Sequence, residues 1–117
     1  MSNALKGKFE IFKATDGQFY FRLKAPNGEI IGWSEGYTQK HNAKSGIESV
    51  RVHSQTSSNF TVWQSSNDGQ YYFNLKSPHN GEVILRSEGY TTRDNALKGA
   101  GAVALYAPTA TLVDLTI

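Results

Sequence analysis

FEIFKATDGQFYFRLKAPNGEIIGWSEGYT, residues 9–38, returns as FTVWQSSNDGQYYFNLKSPHNGEVILRSEGYT, residues 60–91. The offset is 51 residues, rising to 52 after an extra Asn67 and to 53 after an extra His79. Both insertions fall in turns, where added residues cost least. About half of the aligned positions are identical, so the chain is a duplicated structural unit. Repetition also sorts the residues. A side chain present in both copies serves the unit, and one present in a single copy cannot serve a site that both copies share.

Working outward from the repeat, the turns come first. Asp16-Gly17 and Asn67-Asp68-Gly69 are hairpin signals, because glycine accepts a positive φ. Phe9 and Ile11 precede the first turn, as Phe60 and Val62 precede the second, with strand-like alternation. The next strand is the clearest. Phe19, Phe21, Leu23 and Ala25 share one face, as do Tyr71, Phe73, Leu75 and Ser77. Pro26-Asn27-Gly28 and Pro78-His79-Asn80-Gly81 turn the chain into a third strand, 29–33 and 82–86, whose alternation is too weak to assign faces.

Ser-Glu-Gly-Tyr-Thr follows in both copies, at 34–38 and 87–91. Thr38 and Thr91 read as helix N-caps, accepting hydrogen bonds from free amides. Apolar residues then recur at Ala43, Ile47 and Val50, and at Ala96, Ala100 and Val103, giving a helix with one buried stripe. Gly46 and Gly99 hold the same helical position. Glycine costs about 1 kcal/mol against alanine there, and a close helix–sheet contact is the expected compensation. Pro108 stops the second helix, and 109–117 reads as a last strand without a copy. It is expected to pair with the first repeat, covering a sheet edge.

The chain suits one domain, 1–117, built of repeat one (8–54) and repeat two (59–117), since about 50 residues make a marginal unit alone. Cysteine is absent, which excludes disulfides and thiol chemistry. The N-terminus MSNALKGK lacks the apolar core of a secretory signal, and no apolar run approaches the ~20 residues of a membrane helix. A soluble cytoplasmic protein with no membrane association is the expectation. A net charge of +2 and a pI near 8.9 permit an anionic partner without amounting to a nucleic-acid signature.

The candidate chemistry is sparse. His41, His53 and His79 align with Asp94, Tyr106 and a gap, lack metal-ligand spacing, and read as surface histidines. Gly99-Ala100-Gly101 has the look of a phosphate loop but lies inside a predicted helix. In Ser-Glu-Gly-Tyr-Thr no second acid or base is repeated beside Glu35 or Glu88. The motif reads as structural: glycine turns, tyrosine packs, threonine caps and glutamate sits near the helix dipole. No catalytic residue, cofactor site or metal site is assigned.

The remaining surface is the outward face of the strands. If Phe19, Phe21 and Leu23 point inward, then Tyr20, Arg22 and Lys24 point out and should be substantially exposed. Tyr72 and Lys76 follow in the second copy, and alternation adds Phe12 and Trp63. These aromatic and basic residues form a candidate partner-binding platform. Stacked bases, an acidic partner and a second copy of the chain are its candidate occupants, against ordinary cross-strand pairing with no ligand. A protein partner or self-association is favoured over nucleic acid, because the net charge gives a weak field.

At DGQFYFRLKAPNGE (16–29), SEGYT (34–38) and NAKSGIESV (42–50) the chain resembles the YegP-like family of small bacterial proteins. The match covers nearly the whole chain in two tandem copies. The second copy departs from it, with GAGAV (99–103) where the first has GIESV (46–50). The resemblance implies β-β-β-α-β units, paired as tandem repeats or as two subunits, forming one sheet with exchange of the C-terminal strands. It brings no catalytic residues with it. The expected fold is therefore α+β. Two tandem β-β-β-α units share one antiparallel sheet of about seven strands, with two helices on one face and the C-terminal strand packing with the first repeat. A non-enzymatic binding module is the favoured function. The alternatives are single-stranded nucleic-acid binding through the open sheet face and an enzyme with an unrecognised site.

Overall fold

The computed structural model describes residues 6–117; residues 1–5, the start of the expected domain, lie outside them. The first repeat forms β1 (Lys8–Lys13), β2 (Phe19–Lys24), β3 (Ile30–Trp33) and α1 (Lys40–His53). The second forms β4 (Phe60–Gln64), β5 (Tyr71–Lys76), β6 (Val83–Arg86) and α2 (Arg93–Tyr106), and β7 (Thr111–Asp114) follows. All seven strands make one sheet in the order β4-β5-β6-β3-β2-β1-β7.

That order is a palindrome about the β3–β6 junction, and the register locates its centre. Trp33 pairs with Arg86, and the offset of 53 makes these two residues counterparts. The repeats are thus related by a two-fold axis passing between them. Beside the axis, counterpart residues must face each other, and two large side chains cannot both fit. The chain answers with Gly32 opposite Leu85: a Cβ on Gly32 would lie 2.6 Å from the Leu85 side chain.

Gly17, Gly28, Gly69 and Gly81 all have φ between 73° and 90°, so each turn requires its glycine. The hairpins place Phe9, Ile11, Phe21, Leu23, Phe73, Leu75 and Leu85 on the helix-covered face, all fully buried. Ala43, Ile47 and Val50 of α1 and Ala100 and Val103 of α2 pack on them, and Ala96 is also buried. The third strands do not alternate cleanly because the ladder slips between Leu23 and Lys24 and again between Leu75 and Lys76. A bulge of this kind offsets the period-two pattern.

The repeated pentapeptide ties helix to sheet. Ser34 Oγ accepts from Phe21 N and donates to Glu35 O, both at 2.8 Å, and Ser87 does the same for Phe73 and Glu88. Tyr37 stacks on Phe21 with ring centroids 6.2 Å apart, and Tyr90 on Phe73 at 6.3 Å. The helix comes down onto this tyrosine. A Cβ on Gly46 would lie 2.5 Å from Tyr37 Oη and 3.0 Å from the Phe21 ring, and Gly99 meets Tyr90 and Phe73 the same way. Glycine is what lets the backbone approach so closely.

Three expectations need correction here. Thr38 and Thr91 do not cap the helices: the caps are Gln39, which has no side-chain bond, and Thr92, whose Oγ1 accepts from Asn95 N at 3.1 Å. Tyr37 and Tyr90 bridge back to Phe19 and Tyr71, so the chain is still leaving the sheet when it reaches those threonines. Glu35 does not serve a helix dipole but pairs with Arg86 across the repeats at 3.0 Å. The sheet, finally, is mixed. β7 runs parallel to β1, whereas every other pairing is antiparallel. α2 delivers Ala107–Thr109 to the start of β1, where Thr111 N donates to Gly7 O at 3.0 Å, so the last strand enters at the same end as β1. It does cover the edge of the first repeat, as expected.

Two glycines two residues apart on α2 should respond oppositely to alanine. Gly99→Ala should destabilise by about 1–3 kcal/mol through overpacking. Nothing lies within 4 Å of a Cβ on Gly101. Gly101→Ala should therefore stabilise by up to about 1 kcal/mol through helix propensity. Urea melts of both variants measure the difference.

Candidate functional site

The sheet face opposite the helices carries the side chains that the core does not use. In the first repeat they close on one another. Phe12 stacks on Tyr20 with centroids 5.8 Å apart, and the Arg22 guanidinium lies 4.6 Å over the Phe12 ring. Glu10, opposite Arg22 in the ladder, takes Arg22 Nε at 2.8 Å and Lys24 Nζ at 3.2 Å. Burial pushes the Glu10 carboxyl up, but Arg22 and Lys24 together outweigh it and hold it below the ordinary range. Phe12, Tyr20, Arg22 and Lys24 are consequently half-buried rather than substantially exposed. Their partners cover them.

The second repeat keeps the aromatic pair and loses the ion pairs. Trp63 stacks on Tyr72 at 5.8 Å, matching Phe12 and Tyr20. Where the first repeat has Glu10 and Arg22, the second has Thr61 and Asn74. Among the described residues no side chain closes the row, and a groove of about 420 Å³ opens between Trp63, Tyr72, Asn74 and Arg86, lined also by Ser65, Asn67 and Ser87. Tyr72 is half-buried, Trp63 is 39% exposed, and Lys76 is exposed but does not line the groove.

The structure thus separates the seven candidate residues. Phe12, Tyr20, Arg22 and Lys24 form one closed cluster, Trp63 and Tyr72 form an open groove, and Lys76 stands apart. Sequence reasoning missed Glu10 and Arg86. Glu10 was within reach: a hairpin centred on Asp16 that sets Phe12 against Tyr20 also sets Glu10 against Arg22. Arg86 and its counterpart Trp33 were not, since only the two-fold junction brings the third strands to the middle of the face.

The other shifted titratable groups lock local structure. Tyr20 Oη donates to Asp16 Oδ2 at 2.6 Å, and Tyr72 Oη donates to Asp68; these bonds lower the aspartates and raise the tyrosines. Each aspartate also accepts from a backbone amide two residues on, closing its turn. Asp114 at the end of β7 accepts from Lys40 Nζ at 2.6 Å and from Thr116, first Lys40 and then Thr116 holding it well below the usual carboxylate range. Burial raises the Tyr37 and Tyr90 phenols. His53 and His79 meet edge-on at 5.3 Å, and His41 is exposed. Among the described residues no group of three or more His, Asp or Glu is gathered to hold a metal, and no helix is long and apolar enough to cross a membrane.

Residues 14–60 and 66–114 each match the model of a domain of unknown function, DUF1508. A UPF0339 protein of Pseudomonas aeruginosa is 44% identical over 110 residues, covering 94% of this chain and 98% of the relative. The UPF0339 protein YegP of Escherichia coli K12 is 40% identical over 112 residues, covering 96% and 100%. The solution structure of YegP from E. coli superposes with a TM-score of 0.89, at 40% identity over 96% of this chain and 95% of that one. That of a UPF0339 protein from Shewanella oneidensis gives 0.87, at 38% identity over 95% and 92%.

The Lys40–Asp114 pair clasps β7 to the start of α1, and its pH dependence follows from the lowered carboxyl. A depressed folded-state pKa contributes stability that is complete above the unfolded value, about 3.9, and is lost as pH falls toward the folded value. Wild type should therefore exceed Asp114→Asn in urea melts by a constant margin above about pH 5, a margin that shrinks below about pH 4. A margin unchanged at low pH would show that the clasp is not ionic.

Proposed function

The chain belongs to the YegP-like family of tandem DUF1508 repeats, and we propose that it works as a non-enzymatic binding module whose open sheet face engages a protein partner. The descriptions of the family model and of these relatives name no reaction. The observation that carries the proposal is the asymmetry of the two repeats. One fold unit, used twice, closes its outward face with Glu10 in the first copy and leaves a groove beside Trp63 in the second. Shared structural need does not explain a difference between copies of the same unit.

The groove pairs an aromatic wall with one arginine and short polar side chains. Tryptophan, tyrosine and arginine are the residues that most often anchor protein interfaces. Among the described residues Arg86 is engaged only by an exposed Glu35, and exposed pairs are worth little, so it can exchange to a partner carboxylate. A nucleic-acid strand is the less favoured occupant. Glu10 engages two of the three basic candidates, Arg22 and Lys24, so these two are not free to meet a phosphate backbone. Catalysis finds no support either, because each shifted carboxylate is already turned to a lysine, arginine, tyrosine or backbone partner.

Two measurements test the reading. Titration of labelled single-stranded oligonucleotides at low and moderate salt should show no salt-dependent binding to the wild-type protein. Affinity capture from the source cell should retain a protein with wild type that is lost with Trp63→Ala and with Arg86→Glu, both of which should fold normally. Recovery of the same proteins by all three would overturn the open-face reading, and tight salt-dependent oligonucleotide binding would replace it with the nucleic-acid one.

A further inference from the structure

The two-fold relation leaves the two ends of the sheet unequal. β1 has β7 on its outer edge, while β4, its counterpart, ends the sheet with no neighbour among the described residues. The segment that follows α1 does not cross over as β7 does but runs through a short helical turn, Ser57–Asn59, directly into β4. A bare strand edge is normally blunted by charge, proline or a bulge. β4, with the sequence FTVWQ, has none of these.

The flank of α2 beside that edge differs from its counterpart in a consistent direction. In the first repeat Ile47 is buried, Glu48 follows it, and Arg51 reaches over the Phe9 ring at 5.1 Å to donate to Ala107 O at 2.9 Å. In the second repeat the same positions are Ala100, Gly101 and Ala104, and the exposed Leu97 stands where Lys44 stands in the first. The truncated side chains leave a mostly apolar groove of about 400 Å³ between α2 and β4, bounded also by Ser54, Gln55 and Ser57 after α1. Phe60 and Val62 line it half-buried, whereas their counterparts Phe9 and Ile11 are fully buried beneath β7 and α1.

What fills the equivalent place in the first repeat defines the occupant. There an extended segment lies parallel to β1, with Ala110 buried, Leu115 N donating to Ile11 O at 2.8 Å, and Asp114 paired with Lys40. Val62 is the counterpart of Ile11. Arg93 is the counterpart of Lys40; it lines the groove and is in no ion pair among the described residues. We propose that the β4 edge and its groove accept an extended peptide segment of a partner protein as an eighth strand, parallel to β4. The segment inserts a small apolar residue beside Ala100 and Ala104 and sets an acidic residue, four positions later, on Arg93. Main-chain bonds to the free edge supply affinity, and the groove and Arg93 supply selection. This edge is distinct from the open face, so either surface can fail without the other.

The probe is a synthetic peptide of residues 108–117, the chain's own example of the required chemistry, added to the intact protein and followed by amide NMR shifts. Shifts should concentrate on 60–64 and on the flank of α2, leaving 8–13 unchanged. Arg93→Glu should weaken binding about tenfold, with recovery when the peptide carries Asp114→Lys. Gly101→Trp, at a lining position where a Cβ meets nothing within 4 Å, should fill the groove and abolish binding while leaving the fold intact. Absence of shifts at 60–64 with millimolar peptide would overturn the proposal. So would shifts at 8–13 alone, which would mean that the peptide merely displaces β7. Sedimentation showing a dimer whose contact lies at β4 and resists the peptide would assign the edge to a second copy instead.

Discussion

Pairing of strand edges is the constraint on which this structure depends. A β-β-β-α unit of about 50 residues has two edges and one helix, too little to bury a core alone. Joining two units at β3 and β6 removes one edge from each, with Trp33 and Arg86 paired across the axis. Two edges remain, at β1 and β4, and the chain has a single free strand to cover them. β7 takes β1. The clasp of Asp114 by Lys40 and the reach of Arg51 to Ala107 hold it there.

Once the edges are unequal, the repeats are free to diverge. Positions that serve the unit stay the same in both copies. The turn glycines, the serine that accepts from the amide of Phe21 or Phe73, the tyrosine under the helix and the glycine above it are all retained. Positions near β4 and on the outward face change. Glu10 becomes Thr61, Arg22 becomes Asn74, Ile47 becomes Ala100 and Arg51 becomes Ala104. Each change removes a side chain that closes a surface in the first copy. Among the described residues the second repeat is therefore the one that presents both an open-face groove and an unpaired edge.

Much of this architecture was legible in the residues, because it rests on local rules. A glycine after aspartate means a turn, alternation means a strand, and an i, i+4, i+7 stripe means a buried helix face. The return of the last strand to the first repeat followed from an unpaired terminal strand needing a sheet edge, and the resemblance to the YegP-like family implied the same exchange. What escaped is set at long range. The direction of β7 depends on where α2 ends, not on TLVD itself. Bulges after Leu23 and Leu75 hid the faces of β3 and β6, and with them Trp33 and Arg86. Tyr37 extends the sheet and so delays the helix past Thr38. Of the candidate surface, the aromatic pairs were visible from strand alternation. Their closure by Glu10 in one repeat and opening in the other needed the cross-strand register.

Native-state hydrogen exchange of the free protein tests the unequal edges most directly. Ile11 and Val62 are counterparts in sequence and in strand position. β7 lies beside the first, while among the described residues no strand lies beside the second. A slowly exchanging Ile11 with a fast Val62 is the predicted result, since an amide at a free edge needs no unfolding to exchange. Equal protection of the two would contradict it, showing either that β4 is already covered in solution or that β7 does not hold its place on β1.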